Sequence, residues 1–115
     1  MKENIVLTKS FKFAVRIVKL HLHLSKRLKE FELSGQILKS GTSIGANIEE
    51  AIGGVSRKDF INKMGIAYKE ARETKYWLRL LRDSEIIDKS LAESLLTDCE
   101  ELLRLLYTII NRTRV

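Results

Sequence analysis

Lys9, Lys12, Arg16, Lys19, His23, Lys26 and Arg27 recur at short, helix-compatible intervals, and at the α-helical angle per residue they fall within an arc of roughly 100°. No carboxylate interrupts them before Glu30. A solvated helix face ordinarily mixes signs to gain i,i+4 ion pairs, whereas this row forgoes them and accepts repulsion among its cations. Such a row is chemistry for a polyanion: ammonium and guanidinium groups replace the condensed counterions of a phosphate backbone, giving binding that weakens as salt rises. Few aromatic residues accompany the row, so contact with backbone is expected rather than stacking on bases. Lys9, Lys12, Arg16, Lys19, Lys26 and Arg27 are the candidate nucleic-acid contacts, with Arg57, Lys58, Arg112 and Arg114 extending them if both chain ends meet at one end of the fold. The plainer alternative is a stripe that only keeps a basic protein in solution. The net charge of +6 is concentrated accordingly: residues 1–30 hold eight Lys and Arg against Glu3 and Glu30, while the remaining 85 residues hold 13 of each sign. An acidic partner follows from that asymmetry.

Other side chains are weaker candidates for chemistry. Metal sites between helices commonly use Glu-x-x-His pairs; the nearest spacing here is Glu70-Ala-Arg-Glu73, with Glu49-Glu50, His21 and His23 elsewhere, and no Glu-x-x-His exists. Glu49 and Glu50 point apart on a helix and cannot enter one site. Such carboxylates are expected to pair with Lys or Arg. His21, on the apolar side of its helix, reads as a core histidine. Cys99 reads as a small hydrophobe, because no basic or histidine neighbour lies within a turn to activate it. Phosphate-loop, dinucleotide and catalytic-triad patterns do not occur. The expectation is a protein without catalysis, metal or cofactor.

Positioning the basic row requires a long helix, and the chain is suited to four of them. It has 115 residues, enough for one domain, and no proline. Phe13, Ala14, Ile17, Val18, Leu24 and Leu28 predict a first helix over about residues 9–29. Ser34 reads as the N-cap of a second, over about 34–53, with Ile37, Gly41, Ile44, Ile48, Ala51 and Ile52 on one face and Gly53-Gly54 as its stop. Ser56-Arg57-Lys58-Asp59 resembles a capping box opening a third helix, about 57–82, with Phe60, Met64, Ala67, Ala71, Leu78 and Leu81 inward. Ser90-Leu91-Ala92-Glu93 opens a fourth, about 90–111, with Leu91, Leu95, Leu102, Leu106 and Ile109 inward. Short connections make consecutive helices antiparallel neighbours, so the predicted fold is all-α, an antiparallel up-down-up-down four-helix bundle in a single domain. Gly41 and Gly45, mid-helix and each costing about 1 kcal/mol relative to Ala, are expected where another helix approaches closely. The single cysteine, the lack of a signal-like apolar start and the break of the greasiest stretch, 102–110, at Arg104 predict a cytoplasmic protein that does not enter a membrane.

The apolar arcs are wider than a bundle needs. That of the first helix covers roughly 220° and that of the fourth roughly 200°, against a little over 100° for a core-facing stripe. Ile66 and Trp77 also lie apart from the inward face of the third helix. Phe11, Val15, Leu22, Ile66 and Trp77 are therefore the candidate oligomer interface of a self-associating bundle.

Lys9-Ser10-Phe11 with Phe13-Ala14-Val15, the run from Leu33-Ser34-Gly35 through Ser40-Gly41-Thr42-Ser43-Ile44-Gly45-Ala46-Asn47 to Glu49-Glu50-Ala51, Ser56-Arg57-Lys58-Asp59-Phe60, Lys69-Glu70-Ala71 and Glu73-Thr74-Lys75-Tyr76-Trp77-Leu78 together resemble the bacterial four-helix-bundle family encoded in intervening sequences of 23S ribosomal RNA genes. The similarity spans nearly the whole chain. It implies a homopentameric barrel without known catalytic activity; relatives include accessory proteins of diversity-generating retroelements, which bind nucleic acid and a reverse transcriptase. The matching Asn47, Glu49, Glu50, Glu70 and Glu73 are expected in inter-helix or inter-subunit polar contacts. The basic row is a property of this chain and not a family motif. Two functions follow as expectations: an oligomer binding RNA or DNA backbone, or an oligomeric scaffold whose partner is another protein.

Overall fold

Val6, Ser10, Phe13, Ile17, Leu20 and Leu24 repeat at three- and four-residue intervals and are all buried, which fixes one face of the first helix against the rest of the chain. The computed structural model of the protein describes residues 2–114, with side chains described from residue 5. It contains α1 (Lys2–Leu22), α2 (Glu32–Ile52), α3 (Arg57–Asp83) and α4 (Lys89–Arg114), and the described residues include no strand. α1 starts seven residues before the expected Lys9 because Val6 already belongs to the core face.

The end of α1 departs from expectation. Residues His23–Arg27 form a π-turn, in which the ladder lengthens to i→i+5, as the Leu28 N–H donating to the His23 carbonyl at 3.3 Å shows. One extra residue per turn shifts every later side chain by roughly a quarter-turn. Leu24 is therefore fully buried while Leu28, expected on the same face, is 45% exposed. Lys29 then takes a left-handed φ of 57°.

Ser34 does not cap α2. The helix begins two residues earlier, and Ser34 is buried inside it, its hydroxyl donating to the Phe31 carbonyl and its N–H to Glu30 Oε1 at 3.0 Å; Glu30 does the capping. Ser56 does cap α3, accepting from the Asp59 N–H at 3.0 Å. α4 begins at Lys89, which places Ser90 inside the first turn rather than at the cap. α3 ends in a Schellman closure: Glu85 N–H to the Arg82 carbonyl, Ile86 N–H to the Leu81 carbonyl, and Glu85 at φ 58°.

α1 packs against α2 and α4, and α3 packs against the same two, so α1 and α3 occupy opposite corners. Specific contacts set the registers. At the α1–α2 crossing a Cβ on Gly41 would lie 2.8 Å from both Cγ atoms of Ile17, and one on Gly45 would lie 3.4 Å from Ser10 Oγ. The two glycines stand where the helices approach most closely, as expected. Buried Thr74 donates to Ser40 Oγ at 2.9 Å between α3 and α2, and buried Cys99 Sγ to the Ala71 carbonyl at 3.3 Å between α4 and α3. The rest of the core is apolar and mostly aliphatic, filled by residues such as Ile44, Ile48, Leu78, Leu95, Leu102 and Leu106 with Phe13 and Met64. Besides Leu28, three expected core residues lie outside it: Val18 is 40%, Ile52 41% and Leu91 37% exposed, Ile52 being the last residue of α2. Among the described residues no helix is long and apolar enough to cross a membrane.

Candidate nucleic-acid interface

Because Val6, Phe13, Ile17 and Leu24 commit one side of α1 to the core, its cations must face away from it. Lys9, Lys12, Lys19, Lys26 and Arg27 are exposed and Arg16 is half-buried. The row borders α4, however, and α4 brings carboxylates to it. Arg16 donates through Nη1 to Asp98 Oδ2 at 2.7 Å and through Nη2 to Ser94 Oγ at 3.0 Å, and Lys9 Nζ lies 3.3 Å from Glu101 Oε2. Exposed pairs of this kind contribute about 0–1 kcal/mol each, so they hold side chains in place more than they stabilise the fold. Lys12, Lys19, Lys26 and Arg27 form no ion pair among the described residues. The sequence reading missed Ser94, Asp98 and Glu101; the signal was available, since a first and a fourth helix of a bundle are neighbours.

The π-turn divides the row. Lys9, Lys12, Arg16 and Lys19 share the straight part of α1, while Lys26 and Arg27 sit on the wider turn and do not continue the same line. Arg57 is held locally: its guanidinium donates to the carbonyl of Thr113, tying the start of α3 to the end of α4.

Phe11, Val15, Val18 and Leu22, each at least 40% exposed, form an apolar strip on α1 beside the cations. Phe11 also lines a groove of about 310 Å³ with Leu7, Ala14, Thr42, Gly45 and Ala46 between α1 and α2. Ile66, 41% exposed, lies on α3 and is not brought to that strip. Trp77 is half-buried against the core, its indole N–H donating to Glu73 Oε2 at 3.2 Å, so of the residues expected at an interface it alone is largely covered within the chain, while Phe11, Val15, Leu22 and Ile66 stay exposed.

The remaining candidates resolve into local contacts. Glu50 reaches between helices, to Lys63 Nζ at 2.8 Å, and that hydrogen bond holds the Lys63 pKa above its usual value. Asn47 and Glu73 bond within their own helices, to the Ser43 carbonyl and Trp77, rather than across to another. His21 is half-buried, its Nδ1 3.2 Å from the Ser34 carbonyl. Burial pushes the Cys99 thiol up to about 12, which keeps it protonated and a poor nucleophile at neutral pH. Among the described residues no three His, Cys, Asp or Glu side chains cluster around a common point that could hold a metal ion.

A solved structure described as a protein of unknown function from the S23 ribosomal protein family of Bacteroides thetaiotaomicron VPI-5482 superposes with a TM-score of 0.94 at 55% identity, covering 96% of this chain and 99% of that one. No curated protein matches. The family model described as 23S rRNA-intervening sequence protein matches residues 2–108, and the chain belongs to that family.

Proposed function

We propose that the protein is a non-enzymatic, oligomeric helical bundle that binds the backbone of RNA or DNA through the cations of α1. The observation that carries this reading is the exposed set Lys12, Lys19, Lys26 and Arg27, which form no ion pair among the described residues, with Arg16 and Lys9 held beside it by α4. Asp98 and Glu101 lie near Lys12 but bond to Arg16 and Lys9, and cations left without an ion pair repel one another, a cost that phosphates would relieve. The 23S rRNA wording of the family and the ribosomal wording of the neighbour agree with an RNA partner.

The contacts also support the finer architecture. Arg16 meets Asp98 where Lys9 meets Glu101, Ile17 meets Gly41 where Ser10 meets Gly45, and Tyr68 meets Tyr107 where Arg82 meets Glu93. Rising numbers on one helix face falling numbers on the next, as in an up-down-up-down bundle. The exposed strip on α1 and Ile66 on α3 are two different patches, as head-to-tail contacts between subunits use; a homopentamer is the ring expected of the family. A cytoplasmic location belongs to the same reading.

The test is Lys12→Glu with Lys19→Glu, leaving the tethered Arg16 in place. Loss of affinity for structured RNA and duplex DNA, with oligomer size unchanged by light scattering, supports the proposal. Unchanged affinity refutes it and favours a scaffold for a protein partner.

A further inference from the structure

The balanced charge of residues 31–115 conceals a second cationic helix. α3 carries eight basic and four acidic side chains, whereas α4 crowds Glu93, Asp98, Glu100 and Glu101 into two to three turns and α2 carries three glutamates against one lysine. Within α3, Lys69, Arg72, Tyr76 and Arg79 recur every three or four residues, all four are exposed, and none of the three cations forms an ion pair among the described residues. Of the nearby carboxylates, Glu73 accepts the Trp77 indole N–H, Asp83 is bonded to Arg82 with Arg79 only in its field, and Glu70 forms an ion pair with none of the three cations among the described residues.

This face differs from that of α1 in having an aromatic ring at its centre. Tyr76 is 55% exposed, with Arg72 one turn before it and Arg79 one turn after. Its ring is held edge-on to Trp77, centroids 5.1 Å apart and planes at 73°. Trp77 is in turn anchored by Glu73 and by packing on the core. An exposed ring fixed in this way presents a flat surface without the entropy cost of ordering a free side chain. Cations spaced about a turn to either side of such a ring are the elements of a single-strand platform, where phosphates meet the charges and a base stacks on the ring.

We infer that the outward face of α3, Lys69-Arg72-Tyr76-Arg79, is a second nucleic-acid site specific for unpaired strands, on the opposite corner of the bundle from the backbone-binding cations of α1. One chain then holds a duplex on one side and a single strand on the other. The inference stands on α3 alone, so it survives if α1 proves inert.

The experiment measures anisotropy of a fluorescein-labelled 20-nucleotide oligouridylate and of a 20-base-pair RNA duplex against wild-type protein, Tyr76→Ala, Tyr76→Phe, the triple variant Lys69→Glu/Arg72→Glu/Arg79→Glu, and Lys12→Glu/Lys19→Glu. Tyr76→Ala weakens oligouridylate binding about tenfold, the size of one lost stack, while Tyr76→Phe retains it and both keep duplex affinity. The triple variant loses oligouridylate more than duplex. In the Lys12→Glu/Lys19→Glu background the tenfold effect of Tyr76→Ala persists, so loss of duplex binding there bears on α1 only. Wild-type affinity in Tyr76→Ala, equal weakening by Tyr76→Phe, or no oligouridylate binding by wild type overturns the inference. So does a change of oligomer size in Tyr76→Ala, which would assign the ring to a contact between subunits.

Discussion

Replacing Gly41 by Ala sets two known effects against each other. Removing a mid-helix glycine gains about 1 kcal/mol of helix propensity. The new Cβ, however, would sit 2.8 Å from Ile17 Cγ1 and Cγ2, and Ile17 is fully buried and stiff at χ1 because it is β-branched. Overpacking of that kind costs about 1–3 kcal/mol, so Gly41→Ala should destabilise by about 1 kcal/mol net. Gly65 provides the control: nothing lies within 4 Å of its Cβ position, and Gly65→Ala should stabilise by about 1 kcal/mol. Gly45, at ordinary contact distance, should fall between them. Urea denaturation followed by far-UV circular dichroism, at one protein concentration so that assembly does not shift the midpoints, measures all three. Ile17→Ala removes both clashing carbons at a cost of about 2–5 kcal/mol, and in that background Gly41→Ala should become neutral or stabilising. The same loss from Gly41→Ala in both backgrounds, or a gain in wild type equal to that of Gly65→Ala, would refute the close-approach explanation.

Asp98→Asn weakens the hold on Arg16; stability should fall by less than about 1 kcal/mol, and RNA affinity by anisotropy should rise, by up to about fivefold, because the guanidinium becomes available to phosphate. Glu85→Gly relieves the left-handed residue of the α3 closure and should stabilise by about 0.5–1 kcal/mol in the same urea assay. Cys99 should resist a disulfide reagent at pH 8 in the native state and react at once in urea. Its thiol has a folded pKa of about 12 against 9.0 unfolded. Below pH 9 both states keep the proton and stability is flat; between 9 and 12 only the unfolded state loses it, so stability should decline across that window. A flat urea midpoint from pH 8 to 11 in wild type, matching Cys99→Ala, would contradict this.

Much of the fold could be read from the chain because its signals are local. The spacing of Phe13, Ile17 and Leu24, the Ser56–Asp59 cap and the Gly53-Gly54 stop each act within a turn or two, and each appears where expected. The failures are where a local pattern has more than one solution. Ser34 can cap or be buried, and Glu30 took the cap. Leu28 fits an α-helical stripe, but the π-turn rotates it outward. The candidate interface was legible only along one helix: periodicity placed the α1 cations on a common face, but not Asp98 and Glu101 beside them, since those lie 82 and 92 residues along the chain from the Arg16 and Lys9 they meet. Averaging charge over 85 residues also hid the segregation between α3 and its neighbours.

The most direct test of the α1 proposal is the salt dependence of binding to duplex nucleic acid. Four cations that form no ion pair among the described residues, Lys12, Lys19, Lys26 and Arg27, predict a slope of log K against log salt near −4 per bound chain, made shallower by about two in Lys12→Glu/Lys19→Glu. A slope near zero, or one that the double substitution leaves unchanged, would contradict the assignment of this face to phosphate.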